Sequence, residues 1–332
     1  MYLKLVPDNT DIQFIRMRMA ALALSLAMLV GSVVALVTIG LNFGVDFRGG
    51  VTIEIADDEP IDIGDVRTTV SALGLGDVKV TTIQDFAGGD EAVMVFIEQQ
   101  EAAPAEDLDD PASVEDAERR NELAQQEASL AVQEALRGLL GQDLEFRKID
   151  VIGPTVSGEL IQKGAIAVAL AIGMMLIYIW FRFEWQFSVG AITALVHDVV
   201  ITLGMFAVTG LEFKLEIIAA LLTIVGYSMN DTVVVYDRVR ENLRKFKKRP
   251  LPEVLNLSIN DTLSRTVMTS GTTLLALFAL ALLGGEVLRG FTLAMVWGIV
   301  IGTYSSIFVA SPVLLATGVK RDWSKAALQA TP

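Results

Sequence analysis

The chain has 332 residues, of which 52% are hydrophobic, and its formal net charge at pH 7 is −14. A soluble domain seldom combines this hydropathy with this charge, so we expect the two properties to occupy different parts of the chain. Residues 42–160 contain 27 of the 40 acidic residues and only 8 of the 26 basic residues. The sequence therefore predicts one acidic aqueous domain and a membrane location for the hydrophobic remainder.

The composition leaves little material for several kinds of site. The chain has no cysteine and a single histidine, His197. This excludes disulfides, thiolate metal sites and cysteine nucleophiles, and it leaves almost nothing for a histidine-based zinc site. The sequence also has no Walker A motif, so ATP is not the energy source within this chain. We expect no cofactor, no metal, no catalytic centre and no nucleic-acid partner.

Six apolar runs are long enough to cross about 30 Å of hydrocarbon at about 1.5 Å of helix rise per residue. They lie at 19–41, 163–181, 187–208, 215–236, 265–283 and 289–316. The first run is too long for the apolar region of a cleaved signal peptide and no A-x-A site follows it, so we interpret it as a retained signal anchor. The predicted fold is an α-helical membrane protein with six transmembrane helices, the last five of them within 161–316.

The basic residues that flank these runs predict the orientation, because short basic segments stay on the cytoplasmic side. They are Arg16, Arg18, Arg182, the series from Arg238 to Arg249, and Lys320, Arg321 and Lys325. All of them agree with one topology. The N-terminal segment 1–18, a basic loop at 237–264 and the tail 317–332 are cytoplasmic, and 42–160 is a single external domain.

The external domain has a clear order of predicted elements. Strands are predicted at 51–55, 78–83, 92–98 and 144–153, helices at 61–74 and 113–140, and a turn at 88–90. The order β-α-β-β-α-β is that of the split-βαβ, ferredoxin-like arrangement. The stretch 98–112 is acidic and contains two prolines, so we interpret it as a flexible insertion rather than a site.

Asp231 lies about 16 residues into the fourth apolar run, at roughly 24 Å of helix rise from its external end. A carboxylate near a helix centre costs about 2.5–3.5 kcal/mol to insert, and taking up a proton or facing a cation lowers that cost. These two options define a switchable site. The alternative is a polar residue that only holds helices together. Tyr227, one turn earlier on the same face, could hydrogen-bond the carboxylate, and Asn230 is a second supporting residue.

Three further ionisable positions accompany Asp231. Arg265 opens the fifth run at a compatible depth, so it is either the counter-charge of Asp231 or a basic flank. His197 and Asp198 lie in the middle of the third run, where adjacent side chains point about 100° apart and cannot both face one partner. They are either proton-relay groups or structural helix contacts. Asp237, at the end of the fourth run, is interpreted as a boundary carboxylate satisfied by nearby bases.

Several motifs resemble those of the SecF family, the smaller membrane subunits of the SecD–SecF protein-translocation complexes in the resistance-nodulation-division (RND) superfamily. They are FGVDFRGG (43–50), GPTVSGEL (153–160), ALVHDVVITLG (194–204), IAALLTIVGYSMNDTVVVYDRVREN (218–242) and RTVMTSGTT (265–273). The resemblance covers nearly the whole chain. By motif, the proton-linked aspartate and arginine of the family fall on Asp231 and Arg265.

The resemblance implies a proton-driven energy converter in the bacterial inner membrane, with a periplasmic external domain. The six spans would be half of an RND-type bundle and would pair with the six spans of SecD. Proton flow would drive movements of the external domain that pull on a preprotein leaving the SecYEG channel, with YajC and YidC as further candidate partners. The protein would not be an enzyme.

The segment GVDFRGG also has a physical interpretation. Its glycines, which include Gly49 and Gly50, permit turn geometry where the first span enters the first strand. Asp46 and Arg48 are ionic groups at the membrane surface that could fix the angle of the external domain. A plain tight turn explains the glycines equally well.

Three competing functions are a stand-alone RND-type exporter of lipids or drugs, an intramembrane aspartyl protease and a structural scaffold. An exporter chain of this type normally carries twice the spans and two external domains. A protease would use Asp198 with Asp231 or Asp237, but no GxGD sequence accompanies them. In a scaffold, the charge at Asp231 would not matter.

Overall fold

The computed structural model describes residues 7, 10–57, 60–83, 92–100 and 111–319. The predicted turn at 88–90, most of the 98–112 insertion, most of the 1–9 segment and the tail from 320 onward lie outside the described residues. The elements in chain order are a 3₁₀ turn (Phe14–Met17), α1 (Arg18–Thr38), β1 (Asn42–Phe43), α2 (Val45–Arg48), β2 (Gly50–Ala56), α3 (Ile63–Ser71), β3 (Val78–Ile83), β4 (Ala92–Ile97), α4 (Pro111–Leu140), β5 (Glu145–Ile152), α5 (Pro154–Arg182), α6 (Trp185–Thr209), β6 (Glu212–Phe213), α7 (Leu215–Lys245), α8 (Leu251–Leu283), α9 (Gly285–Ser305), a π-helical turn (Ser306–Ala310) and α10 (Ser311–Thr317).

Within the described residues, six helical segments are long and apolar enough to cross a membrane. They are Phe14–Thr38, Ser157–Arg182, Trp185–Thr209, Leu215–Lys245, Leu251–Leu283 and Leu288–Thr317. The six-helix membrane fold is therefore confirmed.

The helices extend well beyond the apolar runs, and the loop prediction at 237–264 is wrong. Helix α7 continues to Lys245 and α8 begins at Leu251, so only residues 246–250 connect them. Polar contacts hold the two helix extensions together, since Asn242 Nδ2 donates to Ser258 Oγ and Asp261 Oδ2, both at 3.0 Å. Hydropathy shows where a helix leaves the hydrocarbon but not where the helix ends. A helix can continue into water when the polar side chains on its outer face are hydrogen-bonded or solvated.

The external domain is a four-stranded antiparallel sheet in the order β3-β4-β2-β5, packed against α3 and α4. Its core consists of Val, Ile and Leu side chains, with Ile53 and Ile55 of the central strand fully buried. Asp62 caps α3, because its Oδ1 accepts from the N–H groups of Gly64 and Asp65 at 2.6 and 3.2 Å. The predicted βαββαβ order is present, with element bounds shifted by a few residues.

Short elements that the sequence pattern did not predict join this domain to the bundle. Strand β1, just after α1, pairs in parallel with β6, just before α7. The N–H of Gly44 extends this pairing by donating to the carbonyl of Phe213 at 3.0 Å. The chain entering the external domain is therefore bonded directly to the segment that starts the fourth span.

Two glycines let α9 pack closely against α7. A Cβ at Gly298 would overlap the Ile224 side chain, and one at Gly302 would lie 3.0 Å from the Cβ of Ser228. Small residues four apart permit close approach of membrane helices. This contact brings the serines at the end of α9 beside the polar residues of α7.

Candidate functional site

Asp231 lies in the middle of the bundle, where three elements meet. Its side chain on α7 is buried, with 7% exposure. One carboxylate oxygen accepts from Thr266 Oγ1 of α8 at 2.5 Å, and the other accepts from Ser306 Oγ of the π-helical turn at 2.5 Å. Neutral hydroxyl groups therefore supply both of these hydrogen bonds.

Asp198 on α6 forms a second buried carboxylate site, with 1% exposure. Its Oδ2 accepts from Ser228 Oγ of α7 at 2.5 Å and from Ser305 Oγ of α9 at 2.7 Å. Its Oδ1 lies 2.9 Å from His197 Nδ1. This carboxylate is thus held by three partners on three helices.

Ser305 and Ser306 link the two carboxylates, since these consecutive residues donate to Asp198 and Asp231 respectively. The π-helical turn begins at Ser306 and inserts an extra residue into the helical repeat. Tyr236 Oη of α7 donates to the Ala310 carbonyl at the end of this turn, at 3.1 Å. Sequence reasoning missed both serines. The only signal was a small-polar pair inside an apolar run.

Arg265 lies next to Thr266 on α8, and its side chain is exposed on the outside of the bundle. Its guanidinium carries the charge opposite to that of an ionised Asp231. In the described part of the chain, however, no ion pair within 4.0 Å joins the two residues. The predicted pairing of Asp231 with Arg265 stays a prediction for a different state of the helices.

His197 and Asp198 contact each other, which differs from the expectation that they would face separate partners. Rotation of the imidazole about its side-chain bonds brings Nδ1 to the neighbouring carboxylate despite the angle between the two Cα–Cβ bonds. The ring also stacks on Tyr304, with centroids 6.1 Å apart. His197 Nε2 is buried and has no hydrogen-bond partner among the described residues.

The two predicted supporting residues do not contact Asp231. Tyr227 Oη donates instead to Thr273 Oγ1 of α8 at 3.4 Å. Asn230 is exposed on the outer surface of α7. The (i, i+4) spacing placed Tyr227 near the carboxylate, but the Tyr227 side chain reaches along α8.

Asp237 is paired with bases, as interpreted from the sequence. Its Oδ1 lies 3.2 Å from Arg182 Nη2 and 3.8 Å from Arg240 Nη1. Arg182 belongs to α5, so this pair ties α5 and α7 together at one end of the bundle.

The residues of the GVDFRGG segment have separate structural roles. Asp46 Oδ2 accepts from the N–H of Leu215 at 2.9 Å, which caps the first turn of α7 from another part of the chain. Gly49 and Gly50 have φ angles of 69° and 113°, and a Cβ at Gly50 would overlap the Ile97 carbonyl. Arg48 is exposed. The two glycines thus serve the close turn, while Asp46 connects the domain to the helix that carries Asp231.

Lys214 lies beside this junction, and its Nζ is 2.9 Å from Glu212 Oε2. Burial alone lowers the pKa of Lys214, but nearby carboxylates, Glu212 foremost, more than offset it and hold that pKa above its usual value. The ammonium is therefore charged at every physiological pH. The junction therefore contains a cation beside the Glu212 carboxylate.

The buried site offers carboxylates and hydroxyl groups, which suit proton exchange. A serine or threonine hydroxyl can donate to an ionised carboxylate or accept from a protonated one, so each carboxyl group can keep its partners in both states. Among the described residues, no group of three or more His, Cys, Asp or Glu side chains could hold a metal ion.

Two family models match the chain. The model "Protein export membrane protein SecD/SecF, C-terminal" matches residues 131–320, and "SecD/SecF GG Motif" matches residues 34–56. The protein translocase subunit SecF of Rhodobacter capsulatus is 45% identical over 325 residues, which cover 97% of this chain and 94% of the relative. This chain belongs to the SecF family.

In two other relatives, the part that matches this chain is only a fraction of a longer protein. The protein translocase subunit SecDF of Brucella abortus is 42% identical and covers 96% of this chain, which spans only 39% of that relative. A crystal structure of SecDF, a translocon-associated membrane protein from Thermus thermophilus, matches with a TM-score of 0.75 and 34% identity, over 96% of this chain and 39% of that one. The chain thus spans about two fifths of the length of these SecDF proteins. 

Proposed function

We propose that this chain is the SecF-type subunit of a protein-export complex that uses the proton motive force to promote preprotein movement across the bacterial inner membrane. The observation that carries the proposal is the buried carboxylate of Asp231, held by hydroxyl groups of two other elements. Such a group is costly in a membrane unless it exchanges a proton or finds a cation. The transport function is inferred from the relatives, which are named protein translocase subunits.

Pairing with a SecD subunit is supported by the relatives in which SecD and SecF are fused. Two exposed polar residues inside the spans, Asn230 and Arg265, support it as well. Without a partner, both side chains would face the hydrocarbon of the bilayer. Covering them with the helices of a second subunit would lower the free-energy cost of that exposure. The SecYEG channel, with YajC and YidC as candidates, completes the proposed partner set.

The proposed switch is the protonation of Asp231. The ionised carboxylate pairs with Arg265 after a small rotation of α8, and the protonated form returns to Thr266 and Ser306. One elementary charge crossing the membrane supplies about 2.3 kcal/mol per 100 mV. A few protons per cycle are therefore enough to bias two arrangements of α7 and α8.

Helix α7 is the element that would transmit this switch to the external domain. It carries Asp231 in its middle, and Asp46 caps its first residue, Leu215. The β1–β6 pairing lies immediately before it. A tilt of α7 would therefore move the base of the external domain directly, with no flexible linker between.

The orientation is also a proposal, with the external domain periplasmic and both termini cytoplasmic. It rests on the excess of basic residues at one end of the helices. Arg182, Asp237 and Arg240 are clustered at that end, and Asp46 and Lys214 lie at the other.

The competing functions fit the site less well. Aspartyl proteases need two carboxylates that share one proton or water, whereas Asp198 and Asp231 each have separate hydroxyl partners, and Asp237 is paired with Arg182. A stand-alone exporter would expose fewer polar groups on the outside of its spans. A scaffold would have no need of a carboxylate at Asp231.

The test replaces Asp231 by Asn in the full chain, assembled with its SecD partner in membrane vesicles, and follows preprotein release with and without a proton gradient. We expect Asp231→Asn to abolish the gradient-dependent part of release, a drop of about 100-fold or more, in line with the loss of a positioned proton-transfer group. The matched control is Asp237→Asn, which removes a carboxylate six residues further along α7 and should keep gradient-dependent release. Normal release by Asp231→Asn, with normal assembly, would refute the proposed conversion.

A further inference from the structure

An open cleft of about 660 Å³ lies where α5 ends and where α7 leaves the apolar part of the bundle. Its lining residues are Arg182, Asp237, Arg240, Glu241, Arg244 and Lys245. Four of these side chains are cationic and two are anionic, so the lining has a net charge of plus two. We call this feature the basic cleft.

Two guanidinium groups of the basic cleft are fixed in place by an aromatic ring. The Cζ atoms of Arg182 and Arg240 lie 5.0 and 5.5 Å from the centroid of the Phe183 ring. Phe183 is itself buried against Phe187 and Tyr236 of the bundle core. Cation–π contacts with a packed ring hold both guanidinium groups, and the Arg182 and Arg240 side chains remain 43% and 18% exposed.

The cationic groups also repel one another. The guanidinium groups of Arg182 and Arg240 both lie within 5.5 Å of the centroid of one ring, so their like charges are close together. Asp237 is shared between two arginines, at 3.2 and 3.8 Å. A further anion in the basic cleft would relieve this repulsion, and a phosphate group matches the planar donors of arginine.

The surroundings of the basic cleft indicate a lipid rather than a dissolved ion. Trp180, Phe181 and Trp185 flank Arg182 in sequence and are 63%, 85% and 52% exposed. Large exposed aromatic side chains at the end of a span are typical of the bilayer interface, where the headgroup region begins. A ligand with both a phosphate and acyl chains can contact the cationic and aromatic groups together.

We propose that the basic cleft binds the phosphate of an anionic phospholipid from the cytoplasmic leaflet. Arg182 and Arg240 are the fixed donors, and Arg244 and Lys245 add charge from the next turn of α7. Basic clefts at helix ends on the cytoplasmic side of membrane proteins suit anionic headgroups. A lipid bound there would hold the ends of α5 and α7 together, six or more residues from Asp231.

The experiment uses the full chain, purified in detergent, with defined lipids added and adducts counted by native mass spectrometry. The probes are dioleoyl phosphatidylglycerol and, as a neutral lipid, dioleoyl phosphatidylcholine. The variant is Arg244→Gln with Lys245→Gln, which leaves the Asp237 pairs intact. Its matched control is Lys247→Gln with Lys248→Gln, which removes the same charge from exposed residues outside the cleft.

We expect the wild-type chain to retain phosphatidylglycerol over phosphatidylcholine. The cleft variant should bind phosphatidylglycerol about thirtyfold more weakly, because each basic residue at a membrane surface contributes about a factor of five. The control variant should lose no more than about a factor of five. Equal losses in both variants, or equal retention of the two lipids, would overturn the proposal.

A second arm distinguishes lipid phosphate from free phosphate. Inorganic phosphate at millimolar concentration should not displace the phosphatidylglycerol adduct. Displacement would show that the site takes a dissolved anion and that the lipid assignment is wrong. If the double variant fails to fold, as judged by its thermal unfolding, Lys245→Met alone should still weaken phosphatidylglycerol binding by about fivefold, and an unchanged affinity would count against the proposal.

Discussion

Asp198 and Asp231 are buried carboxylates in the same bundle, yet their surroundings differ. Asp198 is 1% exposed and has three partners, one of them the imidazole of His197. Asp231 is 7% exposed and has two hydroxyl partners, with Arg265 outside hydrogen-bond reach. A carboxylate with three fixed partners stabilises one arrangement of helices. A carboxylate with fewer partners and a cation on the neighbouring helix can support two arrangements.

The largest expected effect is on the free energy of unfolding, which should fall more when Asp198 is replaced than when Asp231 is replaced. Asp198→Ala leaves Ser228 Oγ and His197 Nδ1 without their acceptor, so we expect a loss of about 3 kcal/mol in the free energy of unfolding. Asp231→Ala removes a costly membrane carboxylate and leaves the Thr266 hydroxyl without its acceptor. The Ser306 hydroxyl keeps the Thr303 carbonyl as an acceptor at 3.0 Å, so one donor is affected rather than two. Its expected loss is about 1 kcal/mol. Thermal unfolding of the purified variants in one detergent measures both.

Equal destabilisation by these two variants would contradict the distinction between a structural and a switching carboxylate. Gradient-dependent preprotein release gives the reciprocal test. In that assay, Asp231→Asn should reduce release more than a folded Asp198→Asn variant does. The amide of Asp198→Asn is nearly isosteric with the carboxylate, and its oxygen can still accept from Ser228 and Ser305.

A smaller effect is expected at His197, which positions Asp198. His197→Phe keeps a flat ring against Tyr304 but removes the hydrogen bond to Asp198. We expect gradient-dependent release to fall by about fivefold, which corresponds to the loss of one hydrogen bond. His197→Gln, whose amide can still donate to the carboxylate, should recover most of the activity. A complete loss of release in both variants would instead make His197 a proton-relay group.

The smallest expected effect concerns the junction between α7 and the external domain. Asp46→Ala removes the cap on Leu215, and we expect a loss of about 1 kcal/mol in the free energy of unfolding. Gradient-dependent release should fall while the Asp231 site remains intact. Arg48→Ala, two residues away and exposed, is the matched control and should leave stability unchanged. If Asp46→Ala left release unaffected, α7 would not be the element that transmits the switch.

Local pattern predicted the elements of the external domain closely. The strand at 78–83 has the predicted bounds, and the helix predicted at 61–74 is present as Ile63–Ser71. Alternation and turn residues are local signals, and the pairing of neighbouring strands follows from them. The two-residue strands β1 and β6 gave no such signal, because each is too short to show periodicity and exists only through its pairing with the other.

In the membrane bundle, the sequence singled out two carboxylates that the structure buries, Asp198 and Asp231, but it did not predict their hydrogen-bond partners. Asp231 and Asp198 were identifiable because a charge inside an apolar run is rare. Tyr227 was predicted as a partner of Asp231 from helical spacing, whereas Thr266 and Ser306 occupy that role from other helices. Spacing along one helix constrains neighbours on that helix only. 

The sequence by itself determined the six spans, the order of the external domain and the identity of the ionisable residues, because hydropathy, periodicity and charge are properties of short stretches of chain. Only the tertiary structure decided which hydroxyl groups meet Asp198 and Asp231, that Ser305 and Ser306 serve one carboxylate each, and that Asp46 caps α7. These contacts join residues far apart in the chain. They depend on the rotation of each helix about its axis, which in turn depends on how α6, α7, α8 and α9 pack together.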